Sequence, residues 1–141
     1  MSATTPTLLR LSDTQLTVAD PAQDVRGRKV HDKGGQTIGH VEDLFIDDAE
    51  KRVRFLLVGS GGFLGLGEKK FLIPVDAVMR VDRDSVQIDR TREHVAGGPA
   101  YDPALAEDHT PEDHYAAVYG YYGFMPFWGI GYTYPTFPFY L

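Results

Sequence analysis

Three groups of residues carry types and spacings that could do chemistry. "GSGGFLGLGEKKFLIP", Gly59 to Pro74, places five glycines in nine residues ahead of a lysine pair, directly after the strand-like run "RVRFLLV". A strand feeding a glycine-rich loop with lysines is the raw material of a phosphate site. His40 stands close to Glu42, Asp43, Asp47 and Asp48, which could take up protons or hold a weak cation. His94, His109 and His114 lie near Asp108, Glu112 and Asp113, donor types that bind zinc.

The elements that must position these groups decide what they can do. A phosphate loop works by delivering the chain into a helix, whose free N–H groups and dipole face the anion. Here the loop leads into "KKFLIP", which reads as a strand. Gly62 and Gly67 have the Walker separation, but Glu68 occupies the lysine position and no Ser or Thr follows Lys69 or Lys70. No nucleotide binding is expected, and the loop reads as a tight connection whose Phe63, Leu64 and Leu66 form an apolar plug or tip. Cation coordination by the second group needs several oxygens converging on one point. Strand alternation sends neighbouring side chains to opposite faces, so a solvated strand surface and an acidic hairpin turn are expected instead. In the third group, the spacing of five between His109 and His114 does not stack on a helix as three or four would. His109, Glu112 and His114 remain the metal candidates. A serine hydrolase would need a nucleophile elbow such as G-x-S-x-G, and "G-S-G" lacks that frame. No catalytic residue and no cofactor are assigned, and a non-enzymatic protein is expected.

The 141 residues suffice for one modest domain with tails. The absence of cysteine excludes disulfides, thiolate metal sites and cysteine catalysis. The first residues lack the basic start and apolar run of a signal peptide, so a cytoplasmic location is the expectation. A net charge of −6 argues against a dedicated nucleic-acid binder, which needs clustered Lys and Arg. Residues 24–94 hold 13 of the 14 Lys and Arg and 13 of the 20 Asp and Glu. Residues 95–141 hold no Lys or Arg, yet all eight tyrosines and the single tryptophan lie beyond residue 100. Two compositions imply two structural units.

Along the chain, residues 1–23 read as an arm that docks through Leu8, Leu9 and Leu11. A short strand near Lys29–Asp32 precedes the turn "DKGGQ", and a longer strand runs from about Thr37 to Asp47. "DDAEK" reads as a hairpin loop. "RVRFLLVGS" is a strand apolar on both faces through Val53, Phe55, Leu56, Leu57 and Val58, as in a closed or double-layered sheet. "KKFLIP" stops at Pro74, "VDAV" turns a corner, "VMRVDRDSVQID" forms a hairpin, and "TREHVAGG" makes one helical turn. With no long crossover helix, a parallel sheet is excluded, and a small antiparallel sheet that closes into a barrel hides its edges.

The run "DVRGRKVHDKGGQTIGHVEDLFIDDAEKRVRFLLVGSGGFLGLGEKKFLIPVDAV" resembles the PRC-barrel domain. The matching features are "G-x-x-V-x-D-x-x-G-x-x-I-G-x-V-x-D-L-x-I-D" from Gly27 to Asp47, the strand "VRFLLV", the glycine-rich loop and "IP-x-x-AV" at Ile73–Val78. "VQIDRTREHV" and "PAYDP" look like the family's usual ending, and the resemblance spans about residues 8–103. The family is named for the cytoplasmic domain of the photosynthetic reaction-centre H subunit and includes the C-terminal domain of a ribosome-maturation factor. The resemblance implies a small, strongly bent antiparallel barrel with no shared catalytic set, and an adaptor that docks on other proteins. It also points to the stand-alone bacterial members, which are associated with stress.

The expected organisation is an N-terminal arm (1–23), a PRC-type barrel (24–93), an acidic linker with a helix start (94–114) and an aromatic tail (115–141). "TPEDHYAAVYGYYG" has a helix start, with Thr110 as N-cap and Pro111 at the first position. Tyr115, Val118, Tyr119 and Tyr122 then share one face, and Gly123 can end the helix. No residue from Tyr115 to Leu141 is charged, but Pro126, Pro135 and Pro138 rule out a membrane-spanning helix. Three readings of the tail stay open. It can fold over the barrel, serve as an interaction segment for a partner or a second copy, or remain a low-complexity, association-prone tail. As an interaction segment its anchors are Tyr119, Tyr122, Phe127 and Trp128. The function expected is a protein–protein adaptor. The alternative is a small-molecule or metal-binding protein that uses the barrel mouth or the His/Asp/Glu linker.

Overall fold

A computed structural model describes residues 8–11, 24–47, 52–60, 69–101, 111–129 and 131–133, with the backbone alone for 111–114. Among the described residues seven strands form one sheet: β1 (Leu8–Arg10), β2 (Lys29–His31), β3 (Thr37–Asp47), β4 (Val53–Gly59), β5 (Lys70–Pro74), β6 (Val78–Val81) and β7 (Ser85–Ile88). A 3-10 turn (Val75–Ala77) joins β5 to β6, and among the described residues the helices α1 (Arg92–Ala96) and α2 (Pro111–Tyr122) follow.

The ladder runs β5-β4-β3-β2-β7-β6, with β1 added to β3 beside β2. The expected antiparallel barrel needs correction in two respects. β2 and β7 pair in parallel, Val30 opposite Val86, because the whole β3–β6 excursion takes the place of a crossover helix. The end strands β5 and β6 share no ladder among the described residues, so the sheet is mixed and open. It is nevertheless curled. Five strand spacings would separate its ends by about 24 Å if it were flat, yet four peptide units from Pro74 to Val78 reach only about 14 Å. The corner through Val75–Ala77 therefore holds the two edges near each other at one end.

Inside the curl lies a core that includes Val30, Ile38, Leu44, Phe55, Leu72 and Val86, all at most 1% exposed. Every residue of β4 is buried, as its apolar run implied. Register shifts between Val41 and Asp43 and between Phe45 and Ile46 break the alternation of β3. All residues from Asp43 to Asp47 are buried, on both faces of the strand. Gly39 is required by a close approach, since a Cβ there would stand 2.0 Å from the Gly59 carbonyl oxygen.

One carboxylate fastens the framework. Asp32, 4% exposed, accepts from the backbone N–H of Gly34 (2.8 Å), Gln36 (2.8 Å) and Arg92 (2.9 Å). It thus closes the β2–β3 turn and ties that turn to the start of α1. Gly35 completes the turn at φ +87°. Burial alone would raise the Asp32 pKa, but the backbone N–H donors outweigh it and hold the carboxyl below its ordinary 3.8.

Candidate interaction site

α2 begins at Pro111 and packs the expected face inward: Tyr115, Val118, Tyr119 and Tyr122 are all buried. It lies along β5 and reaches β4 through Phe55, whose ring meets Tyr115 at 5.5 Å and Tyr119 at 4.9 Å. The helix ends in a Schellman arrangement. Gly123 takes φ +80°, its N–H donates to the Gly120 carbonyl, and the Phe124 N–H donates to the Tyr119 carbonyl. Arg90 caps the same end, donating to the Tyr122 carbonyl at 2.6 Å and lying 4.8 Å from the Phe124 ring centre. A cation is favoured there by the helix dipole.

Beyond Gly123 the chain forms a strap that crosses a charged patch of the sheet. Arg54 on β4 is 1% exposed and donates through Nε to Asp47 Oδ2 at 2.7 Å. A fully buried ion pair is held only when its geometry is good and its surroundings supply further partners. Here the strap supplies rings: the Arg54 guanidinium lies 4.3 Å from the Phe127 ring centre and 5.8 Å from that of Tyr132. The Tyr132 hydroxyl donates to Asp76 Oδ2 at 2.9 Å, pinning the strap to the 3-10 corner. Trp128 sets its edge against Tyr119 at 5.9 Å and against Phe127 at 5.0 Å.

The patch is not fully satisfied. Asp76 Oδ1 and the Tyr119 hydroxyl are buried without a hydrogen-bond partner among the described residues. Burial raises the Asp76 pKa above 3.8, against the pull of the Tyr132 hydroxyl and Arg54. Burial likewise pushes the Tyr119 hydroxyl up, the Asp76 charge adding to it.

Of the three readings of the tail, the first describes residues 115–122, which complete the core. Tyr119 and Tyr122, named as anchors for a partner, are 0% and 2% exposed against this chain's own sheet. Their contacts in this fold are internal, because the helix puts them on its apolar face. Phe127 and Trp128 are half-buried, next to Phe124, also half-buried, and Met125, 47% exposed. Residues 134–141 lie outside the described residues.

The chemistry-bearing groups from the sequence fall elsewhere. Of the glycine loop, Gly59, Ser60, Lys69 and Lys70 are described and 61–68, with Phe63, Leu64 and Leu66, lie outside. Its two ends are sealed as a hairpin, Gly59 opposite Lys70 in an antiparallel pair, and Lys70 is engaged by Glu42 at 2.9 Å. The acidic strand is not the solvated surface expected. Asp43 and Asp47 are buried, because this part of β3 is flanked by β1 and β4 and covered on both faces; Arg10 meets Asp43 at 3.1 Å and Arg54 meets Asp47. Glu42 stays on the outside and His40 is half-buried, while Asp48 lies outside the described residues. His94 packs its ring 4.4 Å from that of Tyr121. His109 and the side chains of Glu112 and His114 lie outside the described residues. Among the described residues no three metal-binding side chains converge, and no helix is long and apolar enough to cross a membrane.

Arg54, Asp76 and Tyr132 were not singled out from the sequence. An arginine alternating between Val53 and Phe55 in a strand buried on both faces was the available signal, since such a position demands an acidic partner. Comparison with curated proteins finds no match to the chain. A family model for the PRC-barrel domain matches residues 19–95, the stretch that carries the curled sheet, the Asp32 turn and the Asp47–Arg54 pair. The chain belongs to the PRC-barrel domain family.

Proposed function

We propose that this protein is a non-enzymatic adaptor of the cytoplasm that binds other proteins through the outer face of its aromatic strap. The observation that carries the reading is the half-buried row of Phe124, Phe127 and Trp128 beside the exposed Met125. Aromatic rings and methionine offer large contact area and dominate the centres of protein interfaces. Tyr119 and Tyr122 act from beneath, holding the strap's root, while Phe127 and Trp128 are the anchors a partner meets. The stress association of stand-alone members that the sequence resembles gives the setting in which such a partner would be sought.

The test uses the full chain as bait in native lysate beside Met125→Glu, which places a charge in the centre of the row. The expected result is a set of proteins retained by the wild type and lost by the variant, with unchanged melting temperatures. Equal retention by both baits, or retention by neither, overturns the reading.

A further inference from the structure

The patch under the strap differs from an ordinary core face. Uncovering apolar side chains costs free energy in proportion to their area. Uncovering Arg54, Asp47 and Asp76 returns charged groups to water, which offsets part of the loss of ring contacts. Lifting the strap therefore costs less than uncovering an apolar face of equal area. Gly123 and Gly131 both hold positive φ with open space where a Cβ would sit, so backbone freedom and not packing selects glycine at the root and within the strap.

The strap also defines what fits the patch. It brings a ring to the guanidinium (Phe127), a phenol hydroxyl to the Asp76 carboxyl (Tyr132) and an indole edge to Tyr119, and it carries no charge of its own. Every copy of the chain owns both halves, the patch and the segment that fills it. The strap of a second copy can make the same contacts without any new desolvation cost.

We propose that the Arg54–Asp76 patch is an interaction site for an uncharged, phenol-bearing aromatic segment, and that the strap of a second copy of this chain takes it, so that copies associate by exchanging straps. The proposal goes beyond the adaptor reading: it uses the inner face of the strap and leaves the outer face free for other proteins. Exchange keeps each receptor–strap contact and changes only which chain supplies the strap. It is concentration-dependent and closes as a symmetric pair.

Mixing two defective full-length chains tests it. Asp76→Ala spoils the receptor and leaves the strap intact, and Tyr132→Phe spoils the strap and leaves the receptor intact. Each homodimer then contains two half-spoiled contacts. The mixed dimer contains one intact contact and one spoiled on both sides, and the second loss costs nothing further once the hydrogen bond is gone. Exchange predicts a mixed dimer about tenfold tighter than either homodimer, the worth of one hydrogen bond to a charged group. Sedimentation reads this, with Trp128, the only tryptophan, reporting strap burial by acrylamide quenching. If Asp76→Ala does not fold, Asp76→Ser takes its place with the same expectation. Mixed and pure dimers in statistical proportion, or no dimer in any sample including the wild type, overturn the exchange. Neither outcome touches the adaptor reading if the wild-type bait still retains proteins that Met125→Glu loses.

Discussion

Asp32 and Asp76 are both carboxylates drawn into the protein, and they are treated in opposite ways. Asp32 sits where three elements meet, and backbone N–H groups from two of them saturate it. Asp76 sits under the strap with one oxygen on Tyr132 and the other without a partner among the described residues. The first lies below its ordinary pKa and the second above it. The difference separates framework from attachment. A fully bonded buried anion locks backbone that does not have to move, whereas an under-bonded one marks a contact the fold holds less tightly.

The sharpest way to break the framework side is at the crossing of β3 and β4. A methyl at Gly39 meets backbone, not a side chain that can swing away: the Gly59 oxygen at 2.0 Å and the Ser60 Cα at 3.0 Å. Gly39→Ala is expected to cost about 4 kcal/mol or more, at the upper end for single substitutions, with loss of cooperative unfolding in urea. Gly59→Ala meets first the Glu42 side chain, which can swing away, and is expected to cost about 1 kcal/mol, that of displacing a partly exposed ion pair.

Phe55→Ala attacks the join between the two regions. The ring is fully buried and touches both Tyr115 and Tyr119. A loss of about 3–5 kcal/mol is expected from the cavity and the lost transfer energy. Because Tyr119, which carries Trp128, loses its ring contact with Phe55, acrylamide should quench Trp128 more strongly in the variant. A melting curve like that of the wild type would place Phe55 outside the core.

Within the framework, Asp32→Asn keeps the shape but sets an NH2 group against one of the backbone N–H donors. A cost of about 2–3 kcal/mol is expected from the donor left unmatched, read as a shift in the urea midpoint. The corresponding change in the other region, Asp76→Asn, leaves Tyr132 an acceptor and removes a poorly solvated charge. It is expected to change stability by less than about 1 kcal/mol at neutral pH, so the ratio of the two effects measures the contrast directly.

What the sequence made legible follows the same division. The strands β2 to β7, the corner at Val75–Ala77, the hairpin of β6 and β7, the short α1 and the inward face of α2 are fixed by local patterns: alternation, turn residues, and i, i+3, i+4 spacing. In the arm only docking through its leucines was legible, and its strand β1 was not. The pairing of β2 with β7 was not legible, because parallel pairing between distant strands leaves no local trace. Nor was the burial of Asp43 and Asp47, since it depends on β1 joining the far edge of β3 and on Arg10 and Arg54 arriving as partners. The strap's site was hidden for a related reason. Arg54 and Asp76 are single polar residues in apolar surroundings, and Tyr132 reaches Asp76 across 56 residues of chain.

The smallest effect is the one that tests the contrast on a single titration. Asp32 has a lowered folded pKa, so its contribution is present above 3.8 and is lost as pH falls through the folded value. Asp24, lowered by Arg26 despite its burial, acts in the same direction. Asp76 has a raised folded pKa, so the folded state takes its proton first, and stability grows as pH falls through that value and on down to 3.8. The groups facing Asp76 are Tyr132, Tyr119 and Arg54, the last held by Asp47. Tyr119 and Tyr132 are pushed above their ordinary 10.0 and do not titrate in this range. On acidification from neutral pH, the Asp76 contribution should therefore appear first as a gain, and the Asp32 loss should follow below 3.8. Urea midpoints measured from pH 7 to pH 3 on the wild type, Asp76→Asn and Asp32→Asn resolve the two. Relative to the wild type, Asp76→Asn should lose the gain and keep the fall, and Asp32→Asn should keep the gain and show a shallower fall. If Asp76→Asn tracks the wild type across the whole range, Asp76 titrates as an ordinary surface carboxylate. The strap then covers no penalised charge, and the distinction between the two regions does not hold.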